Sequence, residues 1–122
     1  MSRSLLHRPA SHLLRPGWWC LVTTAADESR GGTIASRGRP AHSAEAAMVW
    51  MRLDVRALLS CFDAEDRQRA LRWLQHGQWE AVMRLKAGEP YVFTARAEDV
   101  AATWSVRPVL FLPLAGRREC TR

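Results

Sequence analysis

The sequence predicts a small, mainly α fold, with a small α+β fold as the variant, on three observations. Residues 54–86 place apolar side chains at helical spacing around one glycine, Gly77. The first 47 residues show no sustained periodicity, and one short stretch, "PYVFTA", is rich in strand formers. The expected architecture is three short helices in a compact cluster, followed by a short strand, a helical turn and an extended C-terminal tail.

Each element has its own local grounds. Asp54 can cap a first helix in which Val55, Leu58, Leu59 and Phe62 form a continuous apolar stripe. Asp63 offers a second N-cap, and Glu65 with Asp66 puts negative charge where the helix dipole favours it. Ala70, Leu71 and Leu74 share a face of this helix, and Gly77 is expected to end it in a left-handed conformation. A third helix from about Gln78 to Lys86 buries Trp79, Val82 and Met83, and Gly88 with Pro90 closes it. Leu71, Leu74, Trp79 and Val82 would then hold the two helices around Gly77 as a hairpin.

Beyond Pro90, "PYVFTA" reads as a strand and "AEDVAATW" as one or two helical turns with Thr94 as their cap. "VRPVLFLPL" is apolar and extended, but Pro108 and Pro113 each remove a backbone donor, which restricts it to an edge strand or a docked tail. Trp50, Trp73, Trp79 and Trp104 read as large core-fillers for a domain short of buried area.

The chain divides near Met48. Residues 1–47 concentrate Gly, Pro, Ser and Arg and read as a flexible basic arm, with a targeting segment or an over-extended gene start as the alternatives. Residues 48–116 form the helical domain and 117–122 a basic tail. No apolar run approaches the roughly 18 residues that span a bilayer, so membrane insertion is not expected. Cys20, Cys61 and Cys120 are odd in number and far apart, which fits reduced thiols in a cytoplasmic protein.

The formal net charge is +6, and its distribution matters more than its size. Residues 53–104 carry seven basic against eight acidic side chains, residues 1–52 seven against three, and residues 105–122 four against one. The excess positive charge therefore belongs to the ends of the chain. This bears on "DAEDRQRALRWLQHGQWEAVMRL", Asp63 to Leu85, which has the outline of a DNA-reading helix-turn-helix. Glu80 and Arg84 stand four residues apart in the favoured order and partner one another, so the third helix lacks the basic stripe that a reader needs. The motif "GQWEAV" is similar to one tetratricopeptide helix pair. It occurs once, where such folds stack about three copies, so the resemblance implies helical packing alone.

Catalytic patterns are thin. Cys61 and His76 are the only Cys–His pair in the helical part, and Cys61 beside Phe62 is expected to be a buried structural thiol. No paired metal-ligand spacing and no glycine-rich phosphate loop occurs, so neither enzyme activity nor a cofactor is expected. The expected function is a non-enzymatic protein–protein interaction or regulatory protein, for which a homo-oligomer is compatible. Its contact candidates are Trp18 and Trp19 together with Leu110, Phe111 and Leu112, because exposed aromatics often anchor interfaces. The alternative is a nucleic-acid-binding regulator that uses basic arms, through Arg37, Arg39, Arg117 and Arg118, or a degenerate helix-turn-helix.

Overall fold

"RPGWWCLVTTAA" forms strand β1 (Arg15–Ala26) and "IASRGRPA" forms β2 (Ile34–Ala41). Both belong to a computed structural model that describes residues 14–28 and 31–112. Helix α1 (Ala44–Leu58) and a short 3-10 turn (Leu59–Cys61) follow. Then come α2 (Ala64–Arg72), a π-helical stretch (Trp73–Gly77) and α3 (Gln78–Lys86). Strands β3 (Tyr91–Ala97) and β4 (Val100–Phe111) complete the order. The four strands make one antiparallel sheet in the order β2-β1-β4-β3.

This α+β architecture overturns the mainly α fold. Half of the sheet comes from residues that lack helical periodicity and read as an arm. β1 escapes the alternation test because both of its faces are apolar: Cys20 and Val22 are buried, while Trp19 and Leu21 on the other face are half-buried. β2 is an edge strand of weak formers, held by its pairing from Trp18↔Ala41 to Ala25↔Ile34. Residues 1–13, 29–30 and 113–122, including the whole 117–122 tail, lie outside the described residues.

The core sits between one sheet face and the helices. Cys20 and Val22 of β1, Ala102, Trp104 and Val106 of β4, and Phe93 and Ala95 of β3 point inward. Against them pack Met48, Met51 and Val55 of α1, with Ala70, Trp73, Ala81 and Leu85 from the second helical run. Trp73 stacks on Phe93 with ring centroids 4.9 Å apart, and its indole N–H donates to the Tyr91 hydroxyl at 2.7 Å.

The helices differ from expectation in instructive ways. Ser43 caps α1, its hydroxyl accepting from the Ala46 N–H at 3.0 Å, eleven residues before the expected cap at Asp54. Asp54 instead accepts from the Trp104 indole N–H. Asp63 does precede α2, yet its carboxylate accepts from the Glu98 N–H at 2.8 Å rather than capping its own helix. Asp66 accepts from the Arg96 N–H at 2.6 Å, and the Asp63 N–H donates to the Arg96 carbonyl at 2.9 Å. The start of α2 thereby covers the C-terminal end of the outer edge of β3, which would otherwise invite another strand.

Gly77 does not break the helix. Its φ of −85° is right-handed, so the backbone stays helical from Ala64 to Lys86, widened once into a π turn. The helical hairpin and the degenerate helix-turn-helix are both overturned, since neither can exist without a turn. Glycine is required there because a methyl group would collide with the Trp73 ring. Trp79, expected in the hairpin core, is 74% exposed, whereas Leu74 is buried as expected.

The last expectations divide. "PYVFTA" is a strand, and Gly88 does close α3 with a left-handed φ of +87°. The expected helical turn after it is a two-residue hairpin at Glu98–Asp99, and Thr94 is a strand residue rather than a cap. β4 is central rather than an edge strand along Val100–Val106, where β1 and β3 flank it. Pro108 lies beyond the reach of β3, so the donor rule that prolines impose still holds at that residue. Cys61, expected to be buried, is exposed, and Cys20 takes the buried role.

Candidate interaction surface

With the helices on one face, the other face of the sheet carries no helix among the described residues. Strand parity assigns its occupants. β1 contributes Arg15, Gly17, Trp19, Leu21, Thr23 and Ala25, and β4 contributes the residues directly across from them, Phe111 back to Ala101. Two of the aromatic rings on this face lie over glycines of the neighbouring strand: Trp19 over Gly38 and Phe111 over Gly17. A side chain at either glycine would displace the ring, so these positions shape the surface.

The sequence candidates Trp18, Trp19, Leu110, Phe111 and Leu112 come together at one end of the central strand pair. The register Arg15↔Phe111, Pro16↔Leu110 and Trp18↔Pro108 joins segments about ninety residues apart. They do not all share one face. Trp19 and Phe111 are on the open face. Trp18 is half-buried toward the helices and, with Leu110, Pro16, Pro108 and Leu85, lines a shallow cleft of about 480 Å³. Leu110 is 64% exposed and Leu112 is exposed beside it.

Arg37 and Arg39 face the helical side from β2. They border a cleft of about 540 Å³ between β2 and α1, with Cys20, His42, Trp50 and Asp54 also lining it. Arg37 reaches Asp54 at 3.4 Å. Burial pushes the Cys20 thiol up to about 11, with Arg39 pulling the other way, so the sulfur at the base of this cleft stays protonated and unreactive. Arg117 and Arg118 fall outside the described residues. Among the described residues, no group of three His, Cys, Asp or Glu side chains could hold a metal ion, and no helix is long and apolar enough to cross a membrane.

One surface was missed by the sequence. Between α1 and α3 runs a groove of about 400 Å³ with Met48 and Val82 inside, Val49 and Trp79 along its sides, and Glu45, Arg52 and His76 at its polar rim. Lys86 of α3 grips Glu45 of α1 at 2.6 Å, and that contact holds the Glu45 carboxyl below its ordinary range. Trp79 falls at a helical core position in the sequence pattern, so its exposure had no sequence signal. No family model matches the chain, and no curated protein or solved structure matches it.

Proposed function

We propose that this protein is a non-enzymatic binding domain whose working surface is the open sheet face around Trp19 and Phe111. The observation that carries this reading is the placement of these rings. The two central strands present them outward, over glycines, on a face that the helices leave uncovered. Half-buried rings held on a rigid sheet supply contact area at low entropic cost.

A separate observation favours a second reading, a protein partner at the groove between α1 and α3. Trp79 and Val49 are exposed there on two neighbouring helices, a geometry suited to an amphipathic helix. Affinity capture with and without nuclease separates the readings. The wild type, a Trp19→Ser/Phe111→Ser variant and a Trp79→Ser variant are compared after circular dichroism shows each to be folded. The open-face reading expects the double variant to lose what the wild type captures and Trp79→Ser to keep it. The reverse pattern moves the working surface to the groove.

A further inference from the structure

Each aromatic ring of the open face stands across from an arginine. Trp19 pairs with Arg107 and Phe111 pairs with Arg15, so rings and guanidinium groups alternate around a four-cornered patch. From the rise of a strand, Arg107 and Phe111 stand ~14 Å apart along β4. The strand positions of this face hold no Asp or Glu among the described residues. The acids lie at the opposite end of the sheet, where Asp27, Glu28, Glu98 and Asp99 occupy the turns after β1 and β3. The aromatic and basic end of the face is thus remote from the acidic turns, where Arg96 of the same face already pairs with Asp27 at 3.6 Å.

Both ends of the described chain adjoin the basic end, since β1 begins there and β4 finishes there. The sequence beyond them adds Arg3 and Arg8 on one side, and Arg117, Arg118 and Arg122 against Glu119 on the other.

We propose that this end of the open face binds single-stranded nucleic acid, with bases stacking on Trp19 and Phe111 and phosphates held by Arg15 and Arg107. The inference rests on the reading that the open face is the working surface, and it names the occupant. Charge complementarity selects a polyanion, and the rings select one whose π-faces are free. An unpaired strand offers a stacking surface at every base, whatever its sequence. A duplex buries those faces, and a sheet this wide lies across a groove rather than entering it. The guanidinium fork matches phosphate oxygens, and Thr23, Thr103 and Ser105 add hydroxyl groups to the floor of the same face.

Fluorescence anisotropy tests this with the full chain and labelled 12-nucleotide oligo-dT and oligo-rU, a 12-base-pair duplex, and polyglutamate as a competitor. The expected result is preference for the single strands over the duplex, with weak competition by polyglutamate. Trp19→Ala should weaken binding roughly 5- to 150-fold, the range for loss of one stacked base. Arg107→Ala, at an exposed position, should reduce the slope of log affinity against log salt by about 0.7, as for one lost single-strand phosphate contact. Trp79→Ala on the helical side should leave affinity and slope unchanged. Equal binding of duplex and single strand, or wild-type affinity in both Trp19→Ala and Arg107→Ala, would overturn the proposal. Absence of oligonucleotide binding, while Trp19→Ser/Phe111→Ser still abolishes capture of a protein, would overturn the nucleic-acid occupant and leave the surface reading standing.

Discussion

The Trp104 indole N–H donates to Asp54 Oδ2 at 2.6 Å, fastening the most deeply buried ring of the sheet to α1. The ring is wholly inaccessible and packs edge-on against Phe62 at 6.0 Å. Removing the acceptor leaves a buried donor unsatisfied. Asp54→Ala should therefore cost about 1–3 kcal/mol, read from the urea midpoint. An unchanged midpoint would mean that Asp54 is not the partner of Trp104.

Gly77→Ala should act against the usual rule. In a helix interior, replacing glycine with alanine ordinarily stabilises by about 0.5–1 kcal/mol. Here the added methyl meets the Trp73 ring, which is fixed by its bond to Tyr91 and its stack on Phe93. The substitution should destabilise by about 1–3 kcal/mol, the cost of overpacking. A raised thermal midpoint would contradict the packing of Trp73 over Gly77.

A chain that starts at Met48 should not fold. It would lack β1, which is paired along its length with β4, and β2 with it. Its remaining strands would expose Trp104 and Val106. Circular dichroism should show no cooperative melt. A transition matching that of the full chain would return residues 14–47 to the status of an arm.

What the sequence disclosed and concealed follows from which forces leave a local trace. The start of α2 fell after Asp63 as expected though without its side-chain cap, and the stop at Gly88 and the strand "PYVFTA" were legible because turns and strand-forming runs act within a few residues. β1 and β2 were not, because their stability lies in partners some 80 residues away or in weak formers held by a neighbour. Asp54 and Asp63 read as caps because a carboxylate near a helix start has one local use, and their actual partners are distant in sequence. The contact set was picked out by aromatic and aliphatic character, and its rings, Trp18, Trp19 and Phe111, are half-buried. That its two halves would meet, and that Trp19 and Phe111 would share the open face while Trp18 turned inward, required the register.

The Cys20 thiol gives a pH signature. Burial raises it from 9.0 to about 11, with Arg39 opposing. Below pH 9 the group is neutral in both states and adds no pH dependence. As pH climbs from about 9 to about 11 the unfolded chain releases the proton and the folded chain does not, so stability should fall across that window. Cys20→Ala should flatten this part of the decline relative to wild type. Parallel curves would show that the thiol is not enclosed.

The central claim is that binding occurs on the open sheet face, and fluorine NMR of protein labelled with 5-fluorotryptophan reads it most directly. The six tryptophans give six resonances, each assigned by its Trp→Phe variant. During titration with oligo-dT, the Trp19 resonance should move while those of buried Trp104 and of Trp79, exposed on the helical side, stay in place. Movement of Trp79 with Trp19 unchanged would contradict the account and place the working surface on the helices.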